Sequence, residues 1–167
     1  MSTKKFTLLV IGFAVALLTV AVVLKPVTPE PYPHVNQLGN AHNLTVYKSP
    51  TCGCCSNWVT YMKNKDYQID VVNIDKEDEL NKIKEEQGVP ESLYACHTTI
   101  INEGQYFVEG HIPEEAIVKL MNEEPNIRGI GMPGMPSASP GMPGQKVAPF
   151  DITQVDENSK TSQYMSI

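Results

Sequence analysis

Positive charge is scarce in this chain. Thirteen Lys and Arg residues face nineteen Asp and Glu, for a net charge of −6. Three of those cations, Lys4, Lys5 and Lys25, flank one apolar run near the N-terminus, so the rest is more acidic still. With no basic stripe, binding to nucleic acid by counterion release is excluded. Cysteine is scarce too: four residues are too few, and too unevenly spaced, for a miniprotein built on disulfides. Apolar residues are not scarce. At 41% they suffice for a core, which excludes a wholly disordered chain, and 167 residues allow one ordinary domain with appendages.

The nineteen residues from Phe6 to Leu24 carry no charge and no polar face. At about 1.5 Å per residue this run matches one crossing of a bilayer core. It predicts a signal anchor over residues 1–25, or a secretory signal peptide, although Thr19-Val20-Ala21 is a mediocre cleavage site inside the run. Lys4 and Lys5 put the N-terminus in the cytoplasm, so the remainder is expected at the extracytoplasmic face of the inner membrane or in the periplasm, anchored or secreted. Residues 26–43, with Pro26, Pro29, Pro31 and Pro33, read as an extended tether.

A domain over 44–150 follows. Leu44-Thr45-Val46-Tyr47 alternates as a strand, and Ser49-Pro50-Thr51 breaks it. Trp58, Tyr61, Met62 and Lys65 recur at helical spacing, predicting a helix from Cys55 to about Lys65. Tyr67 to Asp75 reads as an interior strand, with Asp75 capping a helix that buries Leu80 and Ile83 and stops at Gly88 and Pro90. Thr98–Ile101 and Tyr106–Val108 form a hairpin through Asn102–Gln105, and Pro113 opens a last helix that buries Ala116, Ile117, Leu120 and Met121 and ends before Pro125. The order β-α-β-α-β-β-α is that of a thioredoxin-like α/β domain. Residues 129–144 form a Met/Pro/Gly loop, in which eight of the fourteen residues from Gly131 to Gly144 are Gly or Pro. Residues 151–167 are polar and read as a disordered tail.

Cys52, Cys54 and Cys55 fall within four residues, where the first strand gives way to a helix start. Unsatisfied N–H groups there favour a thiolate. Cys96 lies just ahead of the third strand, on an approach that runs beside this helix start, so four sulfurs can converge. Three readings compete: a structural Cys52–Cys55 disulfide, a thiol-disulfide oxidoreductase using Cys52 and Cys55 on exported proteins, and a soft-metal site for Cu(I) or Zn(II). Met132, Met135 and Met142, three of seven methionines, sit in the Gly/Pro loop, where thioethers suit Cu(I) better than Zn(II). They can equally plug an apolar groove. His97 and His111 lie at ends of elements, where a ligand or proton shuttle can be held.

Five segments in this order are similar to the CopG-type family of thioredoxin-like exported metal-binding proteins associated with copper resistance. They are Ser49-Pro50-Thr51-Cys52-Gly53-Cys54-Cys55 with Trp58, Gly88-Val89-Pro90, Ala95-Cys96-His97-Thr98, Glu109-Gly110-His111-Ile112-Pro113, and Gly131-Met132-Pro133-Gly134-Met135-Pro136 with Ser139-Pro140-Gly141-Met142. The resemblance spans about Leu44 to Gly144 and leaves out the N-terminal segment and the tail. It implies copper binding by Cys52, Cys54, Cys55 and Cys96, with redox change of the metal or thiols. The expectation is an extracytoplasmic protein for copper resistance or homeostasis, holding Cu(I) or Cu(II) with zinc as the alternative. His97, His111 and the loop methionines would complete or gate the site, and exported copper-handling proteins would be its partners.

Overall fold

A computed structural model describes residues 43–167. The expected anchor over 1–25, and the tether up to residue 42, lie outside the described residues. Among the described residues no helix is long and apolar enough to cross a membrane.

Alternating apolar residues start the chain as β1 (Leu44–Lys48), which leads into α1 (Gly53–Lys63). The rest runs β2 (Ile69–Asn73), α2 (Glu77–Glu86), β3 (His97–Ile101), β4 (Tyr106–Glu109), α3 (Glu114–Glu123), β5 (Ile127–Gly131), β6 (Asp151–Asp156) and β7 (Thr161–Ser166). The seven strands among the described residues form one mixed sheet in the order β2-β1-β3-β4-β5-β6-β7. β1 runs parallel to β2 and antiparallel to β3, with Val46 opposite Val71 and Thr99. β4 runs antiparallel to β3 and parallel to β5. Through β1–α3 the element order is the one the sequence predicts.

Alternation sends neighbouring strand residues to opposite faces. Leu44, Val46, Ile101, Val108 and Ile130 join Trp58 and Met62 of α1 and Ile117 and Leu120 of α3 in the main core. Ile100, Phe107 and Val155 meet Val89 and Leu93 in a smaller cluster on the other face. β3 is buried along its whole length, so whatever precedes it is held on a rigid base.

Three expectations need correction. β2 is not an interior strand: among the described residues it pairs only with β1, at the sheet edge, and Val71 and Val72 are 38% and 37% exposed. An apolar run marks a strand, but its place is decided by the side to which α1 crosses. Asp75 does not cap α2. The cap position is Lys76, without a side-chain hydrogen bond, and Glu77, Asp78 and Glu79 of the first turn face the helix dipole instead. Residues 151–167 are not a disordered tail. β6 and β7 form a hairpin on β5, and the turn is closed by Asp156 Oδ1, which accepts from the backbone N–H groups of Asn158 and Lys160, each at 2.9 Å.

The sheet continues this far because Ile152 and Val155 bury completely while the intervening residues stay polar. β5, not foreseen in the sequence, is short and holds two glycines. Gly129 is required, since a Cβ there would stand 2.2 Å from the Phe107 carbonyl oxygen. Replacing Ile152 by Ala is expected to cost about 2–5 kcal/mol of stability in urea unfolding, because it empties a fully buried site. An unchanged midpoint would show that the hairpin does not belong to the folded unit.

Candidate metal centre

The turn after β1 is short and hydrogen-bonded, with Cys52 N–H donating to the Ser49 carbonyl at 3.1 Å. This makes Cys52 the N-cap of α1, and its sulfur accepts from Cys55 N–H at 3.3 Å. Cys55, one turn along, is fully buried beneath it, and the two are joined as a disulfide. Cys54 carries a free thiol 3.5 Å from Cys52 Sγ. From the far side, Cys96 brings a second free thiol on the segment entering β3, and its carbonyl lies 3.7 Å from Cys55 Sγ.

Behind the sulfurs lie two imidazoles. Cys96 Sγ is 2.9 Å from His111 Nε2 and 3.6 Å from His97 Nδ1. His111 Nδ1 sits 2.6 Å from the Pro140 carbonyl oxygen. A carbonyl only accepts, so Nδ1 holds the proton and Nε2 turns its lone pair toward Cys96. The His97 ring is wedged between Trp58, with centroids 4.8 Å apart, and the His111 ring at 4.9 Å. Trp58 is in turn pinned by its indole N–H, which donates to the Ile112 carbonyl at 2.9 Å.

Burial governs the charges here. It pushes the Cys96 thiol up to about 12, and the neighbouring Cys54 adds to the effect. Burial, followed by the influence of His111, Lys84 and Lys48, holds His97 well below the usual histidine range. His111 is also lowered by burial, although its bond to Pro140 opposes this. The Cys96 thiol and both imidazoles are therefore neutral at pH 7 and ready to ligate, and a cation would supply the charge that ionises the thiol.

The donor atoms form two overlapping sets, Cys52, Cys54, Cys55 and Cys96, and Cys55, Cys96, His97 and His111. Within each set the ligand atoms lie within 4.8 Å of one another. His97 Nε2 is a buried nitrogen without a hydrogen-bond partner among the described residues. The nitrogen of this ring that faces Cys96 is Nδ1, 3.6 Å from its sulfur, so Nδ1 is the one placed to ligate. The donor chemistry fits: thiols and neutral imidazoles suit Cu(I) and Zn(II).

All six expected Cys and His residues thus come together. The methionines have other surroundings. Met132 fills the main core, Met135 is at the surface, and Met142 lines a groove of about 500 Å³ with Tyr61, Pro113 and Phe150. The Met/Pro/Gly loop instead reaches the site through its backbone, at Pro140 and Gly141. Gly141 has a φ of +85° and packs against α1, where a Cβ would stand 2.5 Å from the Cys54 carbonyl oxygen. Sequence reasoning missed this pair, whose signal is the Ser139-Pro140-Gly141 turn. It also missed a fully buried charge pair, Lys84 and Glu109, behind the Cys96 segment.

The fold and site define a class: a mixed α/β single-sheet protein whose clustered thiols and imidazoles are able to hold a metal ion. Residues 93–142 match the family described as a protein of unknown function, DUF411. No curated protein sequence matches the chain. Among solved structures, one named copper resistance protein CopG, Form 1, is 30% identical, with a TM-score of 0.64 over 75% of this chain and 96% of its own. Form 2 of the same name is 29% identical, with a TM-score of 0.66 over 75% and 98%. The chain belongs to this family of CopG-type copper resistance proteins.

Replacing Gly141 by Ala is expected to lift the 139–142 loop from α1, at more than about 1 kcal/mol in urea unfolding. The Pro140–His111 bond should weaken with it, and ¹⁵N spectra of the His111 ring should then report a mixture of tautomers in place of one.

Proposed function

We propose that this chain is an extracytoplasmic, thioredoxin-like protein that binds Cu(I) as its cargo for copper resistance or homeostasis. The observation that carries the reading is the convergence of Cys52, Cys54, Cys55, Cys96, His97 and His111 into two donor sets sharing Cys55 and Cys96. Soft thiolates with neutral imidazoles favour Cu(I), and zinc is the competing ion. The thioredoxin-like assignment is supported by the order β-α-β-α-β-β-α with the cysteine cluster at the first helix start. The exported location rests on the uncharged run from Phe6 to Leu24 behind Lys4 and Lys5. Exported copper-handling proteins are the partners this location implies.

The chain's own residues divide the work. Cys52 and Cys54 face the outside of the cluster, and Cys52 and Cys96 line a cleft of about 330 Å³ through which an ion can arrive. Cys55, His97 and His111 hold the interior, with Trp58 and the Pro140 carbonyl fixing the two rings. With Cys52 and Cys55 joined, two thiols remain, at Cys54 and Cys96. Reduction gives four. Copper affinity should therefore depend on the thiol redox state, which links the site to redox chemistry at the envelope.

A second reading has one observation in its favour. Cys52 and Cys55 form a disulfide at a helix N-terminus, the arrangement a thiol-disulfide oxidoreductase requires.

Anaerobic Cu(I) titration of the reduced full chain against a chromophoric competitor separates the two. Tight uptake is expected, weakened at least about tenfold by Cys54→Ser and again by Cys96→Ser. Zn(II) should compete poorly. Weak uptake, with disulfide exchange that survives Cys54→Ser, would overturn the copper reading and leave the oxidoreductase.

A further inference from the structure

Two buried charges lie behind the site, and neither is among its donors. Lys84 on α2 and Glu109 at the end of β4 meet as an ion pair with exposures of 1% and 0%. Attraction between such charges does little more than offset their desolvation, and apolar side chains of similar volume would serve folding as well. What else they touch is therefore informative.

The two charges grip the N–H and the carbonyl of a single residue, Ala95. The Glu109 carboxylate accepts Ala95 N–H at 2.6 Å, while Lys84 Nζ donates to the Ala95 carbonyl at 3.0 Å. Lys84 also donates to Thr98 Oγ1 at 2.9 Å, and that hydroxyl donates to the other Glu109 oxygen at 2.6 Å. The residue before Cys96 and the residue after His97 are thus both tied to the same pair of charges. On the neighbouring strand Glu109 stands two residues before His111. Gly110 bends the chain between them with a φ of +83°, and its N–H donates to the His97 carbonyl at 3.0 Å.

We propose that the Lys84–Glu109 pair is the positioning device of the thiol–imidazole centre, fixing the Cys96–His97 segment so that Cys96 Sγ meets His111 Nε2. This deepens the copper reading and rests on it only for the affinity arm of the test. Neither Lys84 nor Glu109 belongs to the two donor sets. They act through Ala95 and Thr98, one covalent step from the two donors.

The test uses the reduced, metal-free full chain and the double variant Lys84→Met/Glu109→Leu, which removes both charges without stranding either. Three quantities are read beside cooperative unfolding: the rate at which iodoacetamide labels Cys96 relative to Cys54, the ¹⁵N shifts of the His111 ring, and Cu(I) affinity. A folded variant should label Cys96 severalfold faster and lose the single Nδ1–H tautomer of His111. Its affinity for Cu(I) should fall about ten- to a hundredfold, as when the groups orienting metal ligands are removed. A folded variant with wild-type labelling and His111 shifts would overturn the proposal, since a merely structural pair would alter stability alone.

Should that variant not fold, Lys84→Met/Glu109→Gln decides. It keeps an oxygen for Ala95 N–H but loses the grip on the Ala95 carbonyl, so Cys96 labelling should rise by a smaller factor. An unchanged rate there overturns the proposal as well. Wild-type chain that takes up no Cu(I), while these labelling differences hold, would remove the copper reading and leave the positioning role in place. Tight wild-type uptake with unaltered variants would do the reverse.

Discussion

Buried charges of opposite sign must find each other, and in this protein they do so around the backbone of Ala95. Lys84 comes from a helix, Glu109 from the end of a strand, and Thr98 from the strand between. The pair ties α2, β3 and β4 at the point where β3 begins. From that point Cys96 and His97 are carried toward α1, and His111 arrives two residues after Glu109. The geometry of the donor cluster descends from this constraint more directly than from the apolar core, which does not address individual backbone groups.

The cluster itself joins two kinds of support. Local structure accounts for Cys52, Cys54 and Cys55, because a short turn ends in an N-cap and the next helical turn returns Cys55 beneath it. Tertiary structure accounts for the rest. His111 takes its tautomer from the carbonyl of Pro140, in a loop nearly thirty residues further on, and His97 takes its orientation from Trp58. Burial keeps both imidazoles and the Cys96 thiol neutral. A site held in this state carries little charge of its own, and a metal ion bound there would displace the Cys96 proton.

Much of the fold was legible. Periodicity identified α1 and α3, the Asn102–Gln105 turn identified the β3–β4 hairpin, and helix boundaries agreed within a few residues. β5 was illegible because Arg128, Gly129 and Gly131 have little strand character, and the strand exists because β4 and α3 leave it a place. β6 and β7 were read as tail because their composition is polar, yet two deeply buried residues, Ile152 and Val155, suffice when a sheet edge is available to pair with. Lys84 was passed over because an isolated lysine is ordinarily exposed.

By itself the sequence determined which donors exist and which chain neighbours they have. It held three sulfurs at a helix start, a Cys-His pair before a strand, a histidine after the next, and a Gly/Pro-rich segment without a core of its own. Those are local properties, set by spacing, turn residues and hydrophobic period. Tertiary structure alone decided that Met132 serves the core and Met142 a groove, that a loop backbone orients His111, and that a buried ion pair clamps Ala95. Such contacts join residues eleven to twenty-nine positions apart, and their distances depend on sheet order and packing, which no local pattern in the chain encodes.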